Sequence, residues 1–238
     1  MKMSHRNLTT LIWSKRKFGS EAKERFLKNL SSAPPSKHPR LVSDSDSNAA
    51  MSVLIPFVTV NGRDSVLLTK RSIHLRSHRG EVCFPGGRMD PGESTTDTAL
   101  RETNEEIGLE SKDIEIWGHL KSVVRRQADF VVTPIVGYIP DEEALNKLVV
   151  NSDEVQAVFT IPLEELYRTA GLTKFTSKRM KYTLPTFDST EFKVHHNAEN
   201  EYLHSNQRVW GLSAVMLHQA LTLLNPEEYK HDLIVKFF

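Results

Sequence analysis

The 238-residue sequence holds one cysteine, Cys83, so no disulfide can form within the chain and a cystine-stapled scaffold is excluded. It has no apolar run near the roughly 18 residues that a membrane-spanning helix needs, so no membrane span is expected. It has no charge bias: 31 Lys plus Arg face 30 Asp plus Glu, for a net charge of +1. A global electrostatic preference for nucleic acid is therefore absent. No internal repeat is evident. Residues 1–20 contain no acidic residue, but they carry Lys2, Arg6, Lys15, Arg16 and Lys17 among Ser4, Thr9, Thr10, Ser14 and Ser20. That profile fits either a mitochondrial transit segment or a disordered basic terminus. The last residues, Val235-Lys236-Phe237-Phe238, are not a Ser-Lys-Leu type of address. A mitochondrial location is expected, with peroxisomal or cytosolic ones as alternatives. The chain is long enough to bury a real core, and one main domain over residues 49–238 is expected after a short helix and linker at 21–48.

The most informative segment runs from Gly87 to Leu109. It reads Gly87, five residues, Glu93, seven residues, then Arg101-Glu102-Thr103-Asn104-Glu105-Glu106-Ile107-Gly108-Leu109. Ser94 followed by Asp97 reads as an N-cap with a capping-box partner, and Gly108 as a left-handed residue ending the helix. The spacing predicts a helix of roughly three to four turns between them. Glu102, Glu105 and Glu106 fall on one arc of that helix, and Leu100, Thr103 and Ile107 on a second arc that would pack inward. Like charges at this spacing repel, and a bound cation is the simplest reason to keep them together. Carboxylate oxygens suit the hard cations Mg²⁺ and Mn²⁺. The alternative is a solvated face with Arg101 paired to Glu105 at i+4.

This spacing resembles the signature box of the Nudix hydrolases, which cleave pyrophosphate bonds in nucleoside diphosphate derivatives. A chance match of so many fixed residue types is on the order of 10⁻⁹ per window. The resemblance implies that Glu102, Glu105 and Glu106 are both metal ligands and catalytic groups. It also implies that a main-chain carbonyl of Gly86 or Gly87 approaches the metal, and that Glu93 and Arg101 tie the loop to the helix. Thr103 departs from the aliphatic residue usual there, although its methyl can still pack.

Directly upstream, Leu67-Leu68-Thr69-Lys70-Arg71-Ser72 is followed by Arg76, His78, Gly80 and Phe84-Pro85-Gly86-Gly87. This is similar to the extra signature of the coenzyme A diphosphatase branch of the family. Coenzyme A carries a pyrophosphate and a 3′-phosphate, and the planar fork of arginine matches phosphate oxygens. Arg71, Arg76, His78 and Gly80 are thus candidate substrate-binding residues. His78 is equally readable as a structural hydrogen-bonding residue, and Lys70 and Arg79 as parts of a solvated basic loop. Val209-Trp210-Gly211-Leu212-Ser213-Ala214 and Asp153-Glu154-Val155 resemble further segments of that branch, so the likeness spans roughly residues 50 to 225. Glu154 is either a late carboxylate of the metal site or a charge at a strand end. The expected substrate is coenzyme A or acyl-CoA, a small molecule. The alternatives are another diphosphate such as ADP-ribose or NADH, damaged nucleoside triphosphates, or an inactive ligand-binding module. Oligomeric state is not encoded in any of these features.

Periodicity places a short helix at 21–30 with Phe26, Leu27 and Leu30 on one side, a Ser- and Pro-rich linker at 31–48, and strands at 52–60 and 65–69 around an Asn61-Gly62 hairpin turn. Strands are expected at 114–124, 130–139 and 153–159, with a basic turn at Arg125-Arg126, a helix at 162–169 and a hairpin pair at 181–187 and 191–195. A polar turn at 197–206, with His195, His196 and His204 around it, precedes helices at 211–224 and 226–237. Mixed strands with helices on both sides imply an α/β class protein, and the resemblance implies a Nudix-type α/β/α sandwich with a mixed β-sheet.

Overall fold

The computed structural model describes residues 18–34, 38, 41–42, 49–125, 130–198 and 202–237. Their elements run α1 (Ser20–Ser32), β1 (Leu41–Val42), β2 (Ala49–Val60), β3 (Arg63–Arg71), β4 (Val82–Cys83), β5 (Gly86–Arg88), α2 (Thr95–Ile107), β6 (Glu115–His119), β7 (Ser122–Arg125) and β8 (Phe130–Ile139). They continue β9 (Val155–Pro162), α3 (Leu163–Thr169), β10 (Ala170–Thr176), β11 (Met180–Ser189), β12 (Lys193–Asn197), β13 (Gln207–Val209), α4 (Gly211–Leu224) and β14 (Val235–Phe237).

Strand β2 is apolar at nearly every position, the pattern of a strand covered on both faces. Leu54 and Val58 join one core, and Val53, Ile55 and Phe57 join the other, as alternation along a strand requires. The larger sheet runs β1-β7-β8-β2-β3-β9-β12, with β4 on β3, β5 on β2 and β6 on β8. Strands β2 and β8 are parallel, whereas β2 and β3 form an antiparallel hairpin, so the sheet is mixed. Asn61 and Gly62 both have positive φ, 50° and 77°, as the expected tight turn demands.

Helix α2 covers one face, its Ala99 and Ile107 packing on Leu54, Leu67, Ile135 and Val158. The other face is covered by α1, α4 and a second sheet, β10-β11-β13 with β14 also on β11. Phe26 and Trp117 meet there, and Phe18 packs tilted against Phe57 and edge-on against Trp117 and Tyr138. Arg25 Nε donates to Leu224 O (3.1 Å) and Asn29 Nδ2 to Leu223 O (2.8 Å), so α1 satisfies carbonyls at the end of α4.

Several expectations change. Phe26 is fully buried, but Leu27 on the same helix is exposed. The linker at 31–48 contains the end of α1 and the short strand β1. The single strand expected at 114–124 is two strands, broken at Leu120, whose N–H donates to Pro134 O. Pro134 has no N–H to return, so the ladder stops there. The hairpin expected between 181–187 and 191–195 does not form. Strand β11 pairs with β10 on one side and with β13 and β14 on the other, while β12 crosses to β9 in the larger sheet. The buried Glu165 carboxylate accepts from Thr190 N (3.0 Å) and Glu191 N (3.4 Å), which fixes that crossing. The helix expected at 226–237 is instead a turn followed by β14. Ile234 and Thr183 exchange two hydrogen bonds, and buried Tyr229 anchors the turn under His218. Strands β10 and β13 were not foreseen. Arg126 lies outside the described residues, as do 199–201 in the polar turn.

His218 of α4 is buried and its Nδ1 hydrogen-bonds the Tyr229 hydroxyl at 2.9 Å. Burial pushes its imidazole down to about 4, with His231 and His38 adding to the effect. Because the folded value lies below the ordinary 6.5, the unfolded chain takes up this proton first. The stabilisation is complete above pH 6.5 and fades as pH falls towards 4. Between pH 7 and pH 4.5 it should remove roughly 2 to 3 kcal/mol. Thermal unfolding at the two pH values should show a smaller loss in His218→Gln than in the parent. Parallel losses would refute the assignment.

Candidate active site

Strand β2 changes partner along its length. Residues 57–60 pair with β3, whereas 51–53 pair with β5. Pro56 falls in the gap between the two ladders, where its missing N–H costs nothing. The Phe84-Pro85-Gly86-Gly87 turn inserts into this gap, and Leu54 N donates to Pro85 O (2.9 Å). Gly86 has φ 146°, and a Cβ there would lie 2.4 Å from Ser52 O and 2.5 Å from Val53 Cα. A Cβ on Gly87 would lie 2.3 Å from the Glu102 carboxylate. The two glycines therefore let the loop lie flat against the sheet on one side and the helix on the other.

Helix α2 begins and ends as its sequence predicts. Ser94 Oγ accepts from Asp97 N (3.1 Å), Asp97 Oδ2 accepts from Ser94 N (3.3 Å), and Gly108 adopts φ 71°. Thr103 and Ile107 are fully buried and Leu100 partly so. Thr103 Oγ1 donates to Ala99 O (2.6 Å), which satisfies the hydroxyl that replaces an aliphatic group.

Arg101 is the hub of the loop–helix unit. Its Nε donates to Glu93 Oε1 (2.6 Å), and Nη2 to Glu93 Oε2 (3.1 Å) and Arg88 O (3.0 Å). Nη1 reaches Glu102 (3.1 Å) and Glu105 (3.0 Å). Glu93 also accepts from Asp90 N (3.0 Å) and Thr98 Oγ1 (2.8 Å). The Arg101 guanidinium holds the Glu93 carboxyl down to about 2, and its own value is raised by these partners.

The three glutamates differ in burial. Glu105 is exposed, Glu102 is mostly covered, and Glu106 is buried. Glu106 Oε2 faces Gly86 N at 3.4 Å. Burial pushes the Glu106 carboxyl up to about 8. The nearby charges of Glu154 and Glu102 push the same way, and Arg71 opposes them. Burial likewise raises Glu102, with Glu105 and Glu154 adding to it. Glu154 is thus drawn to the same patch. Backbone bonds explain how: Asn151 N donates to Glu106 O (2.9 Å), and Ser72 N to Glu154 O (2.8 Å). The loop is stitched to both the helix end and the end of β3.

Arg71 lies at the end of β3, its charge felt by Glu106 and by Cys83, and its Nε is buried with no hydrogen-bond partner. Cys83 sits beside Thr69 (3.3 Å) with its thiol pushed up to about 11 by burial and then by Glu106. It is a filler rather than a nucleophile. Gly80 has φ 65° and closes the loop base by donating to Arg71 O (3.1 Å). His78, with φ 57°, is exposed and bonded to Glu81 Oε2 (2.9 Å). Arg76 is exposed on the same loop. The structure thus gathers Arg71, Glu102, Glu106, Glu154 and the two glycines. Glu105 stands exposed at its rim, and Arg76 and His78 are exposed on the loop between β3 and β4. Sequence reasoning did not foresee Thr98 as a partner of Glu93. The pattern of a small hydroxyl residue one turn before Arg101 was its only signal.

Among the described residues, no three His, Cys, Asp or Glu side chains converge as a ready metal cage. Arg101 draws Glu102 and Glu105 towards itself. The donor chemistry nevertheless fits a hard cation: several carboxylates share one patch, and one of them is buried without a full counter-charge.

A NUDIX domain model matches residues 50–187. The chain belongs to the Nudix family. It is 82% identical over 227 residues to "Nudix hydrolase 3" of Caenorhabditis elegans, covering 95% of each chain. It is 39% identical over 191 residues to the human "Mitochondrial coenzyme A diphosphatase NUDT8", covering 78% of this chain and 73% of that protein. A Caenorhabditis elegans Ap4A hydrolase structure superposes with a TM-score of 0.42 at 22% identity, over 50% of this chain and 83% of that one. Nudix hydrolases generally use divalent metals such as Mg²⁺ or Mn²⁺. The matched span includes the Arg101-centred loop–helix unit.

The two box glycines should respond differently to alanine. Gly86→Ala drives a Cβ into backbone atoms and should cost about 2 kcal/mol or more. Gly87→Ala meets the end of a flexible side chain and should cost under about 1 kcal/mol while displacing the Glu102 carboxylate. Denaturant titration of both variants checks this, and equal losses would contradict the packing described.

Proposed function

We propose that this Nudix hydrolase cleaves the pyrophosphate bond of coenzyme A or acyl-CoA, releasing 3′,5′-ADP and (acyl-)4′-phosphopantetheine. The observation that carries the reading is Arg71. It is a cation with a buried, unsatisfied Nε, set beside the carboxylates by a segment that resembles the coenzyme A diphosphatase signature. The identity to a protein named as a coenzyme A diphosphatase supports it.

Glu102, Glu106 and Glu154, with Glu105 at the rim, would hold Mg²⁺ or Mn²⁺, and the Gly86-Gly87 backbone would line the same place. When bound, such an ion neutralises phosphate charge and acidifies a water molecule. Arg71 binds a phosphate oxygen through its planar fork. Arg76, His78 and the Gly80 turn present a basic rim to the 3′-phosphate. Arg101 keeps Glu102 oriented and ties the loop to the helix through Glu93. A carboxylate of the box, or Glu154 beside it, accepts the proton released from the attacking water. The basic segment 1–20 and the mitochondrial designation of the human relative support a mitochondrial location.

The purified chain should hydrolyse coenzyme A in the presence of Mg²⁺ or Mn²⁺, with 3′,5′-ADP resolved by chromatography. Glu106→Gln should fall below roughly a hundredth of the parent rate while keeping a cooperative unfolding transition. ADP-ribose and NADH run in parallel. Cleavage of either without cleavage of coenzyme A would overturn the substrate, and an undiminished Glu106→Gln rate would overturn that residue's role. Inactivity on all three would favour a ligand-binding module.

A further inference from the structure

From Arg168 to Phe187 the sequence has no Asp or Glu, yet it carries Lys174, Lys178, Arg179 and Lys181. The structure folds this stretch into the β10–β11 hairpin, with residues 177–179 at its tip, and β14 adds Lys236. Strand register sorts the side chains by face. Lys174 lies opposite Thr183, Thr176 opposite Lys181, and Lys181 opposite Lys236. Residues directly opposite share a face. Leu172, opposite Pro185, and Ile234, beside Thr183, belong to that face too. The result is a surface across three strands on which three lysines alternate with two exposed aliphatic side chains, Leu172 and Ile234, with Lys178 and Arg179 at its end. Asp232 is the acidic residue at its edge.

The residues of this surface lie on β10, β11 and β14 of the second sheet, whereas Glu102 and Glu106 lie on α2 over the larger one. Substrate binding at the Nudix loop–helix unit does not account for it.

We propose that this face docks on an anionic lipid surface. Clustered lysines are drawn to such a surface, and aliphatic side chains set among them partition into its interfacial layer. A nucleic acid fits less well, because single strands need aromatic faces beside the cations. The aromatic residue here, Phe175, lies on the opposite face of the hairpin, stacked on Tyr182 with ring centroids 5.4 Å apart. A second copy of the chain fits less well still, since it would set lysines against lysines.

Vesicle co-sedimentation of the full chain tests this, with phosphatidylcholine alone and with added phosphatidylserine, at low and raised salt. Binding should require phosphatidylserine and weaken with salt. The triple variant Lys174→Gln, Lys181→Gln, Lys236→Gln should bind about a hundredfold less. Leu172→Ser with Ile234→Ser should also weaken binding, at unchanged charge. Both variants should keep the parent's pyrophosphatase rate and a cooperative melt, which separates this face from the active site. Absence of vesicle binding by the parent, equal binding by the triple variant, or tighter binding to a single-stranded oligonucleotide than to vesicles would each overturn the proposal.

Discussion

A carboxylate kept almost out of water is expensive, and Glu106 is that carboxylate. The surrounding structure is arranged about it. The inserted Phe84-to-Gly87 turn covers it and offers the Gly86 N–H, β3 delivers the Arg71 charge, and the loop after residue 149 brings Glu154 nearby. None of these fully compensates the charge, and the group is left easier to protonate than an ordinary glutamate. The fold tolerates this because the helix that carries Glu106 is secured independently: its cap, its apolar arc and the Arg101–Glu93 clamp do not depend on Glu106. Stability is thus supplied on one arc of α2 and spent on the adjacent one.

The same division runs through the sheet. Strand β2 must end its pairing with β3 at about Pro56 for the turn to enter, so the sheet has an opening on the side where α2 lies. The opposite face has no such opening. There α1, α4 and the second sheet pack the aromatic cluster of Phe18, Phe26, Phe57 and Trp117. One face is arranged for chemistry and the other for cohesion, and β2, with side chains in both cores, joins them.

Local signals were legible in the sequence wherever short-range chemistry decides the structure. The Ser94–Asp97 box, the Asn61-Gly62 turn, the Gly108 terminus and the apolar arc of α2 all follow from neighbours within a few residues. What could not be read was partner choice. Residues 181–187 and 191–195 are each plausible strands with a turn-sized gap between them, and nothing local says that Glu165, far upstream, captures the intervening N–H groups. Residues 226–237 have enough apolar positions for a helix, but the open edge of β11 offered them a ladder instead. At the site, the carboxylate cluster was readable from helical spacing, whereas the unequal burial of its members was not. Burial depends on the inserted turn, and that depends on a gap in pairing that only the tertiary fold reveals.

The family match ends at residue 187, inside β11, yet the fold does not end there. Phe187 itself is fully buried, and its strand continues to Ser189, where β13 pairs with it. Helix α4 supplies Ala214, Val215, Leu217, Ala220 and Leu221 to the core under the larger sheet, and α1 in turn satisfies the last carbonyls of α4. Helix α1, before the match, and helix α4, after it, therefore form one layer with each other, although they are distant in sequence. That layer covers the face that the Nudix helix leaves bare, and removing either part would expose Phe57, Phe159 and Val136 to water. The segments outside the family match are as much a part of this domain's core as those inside it.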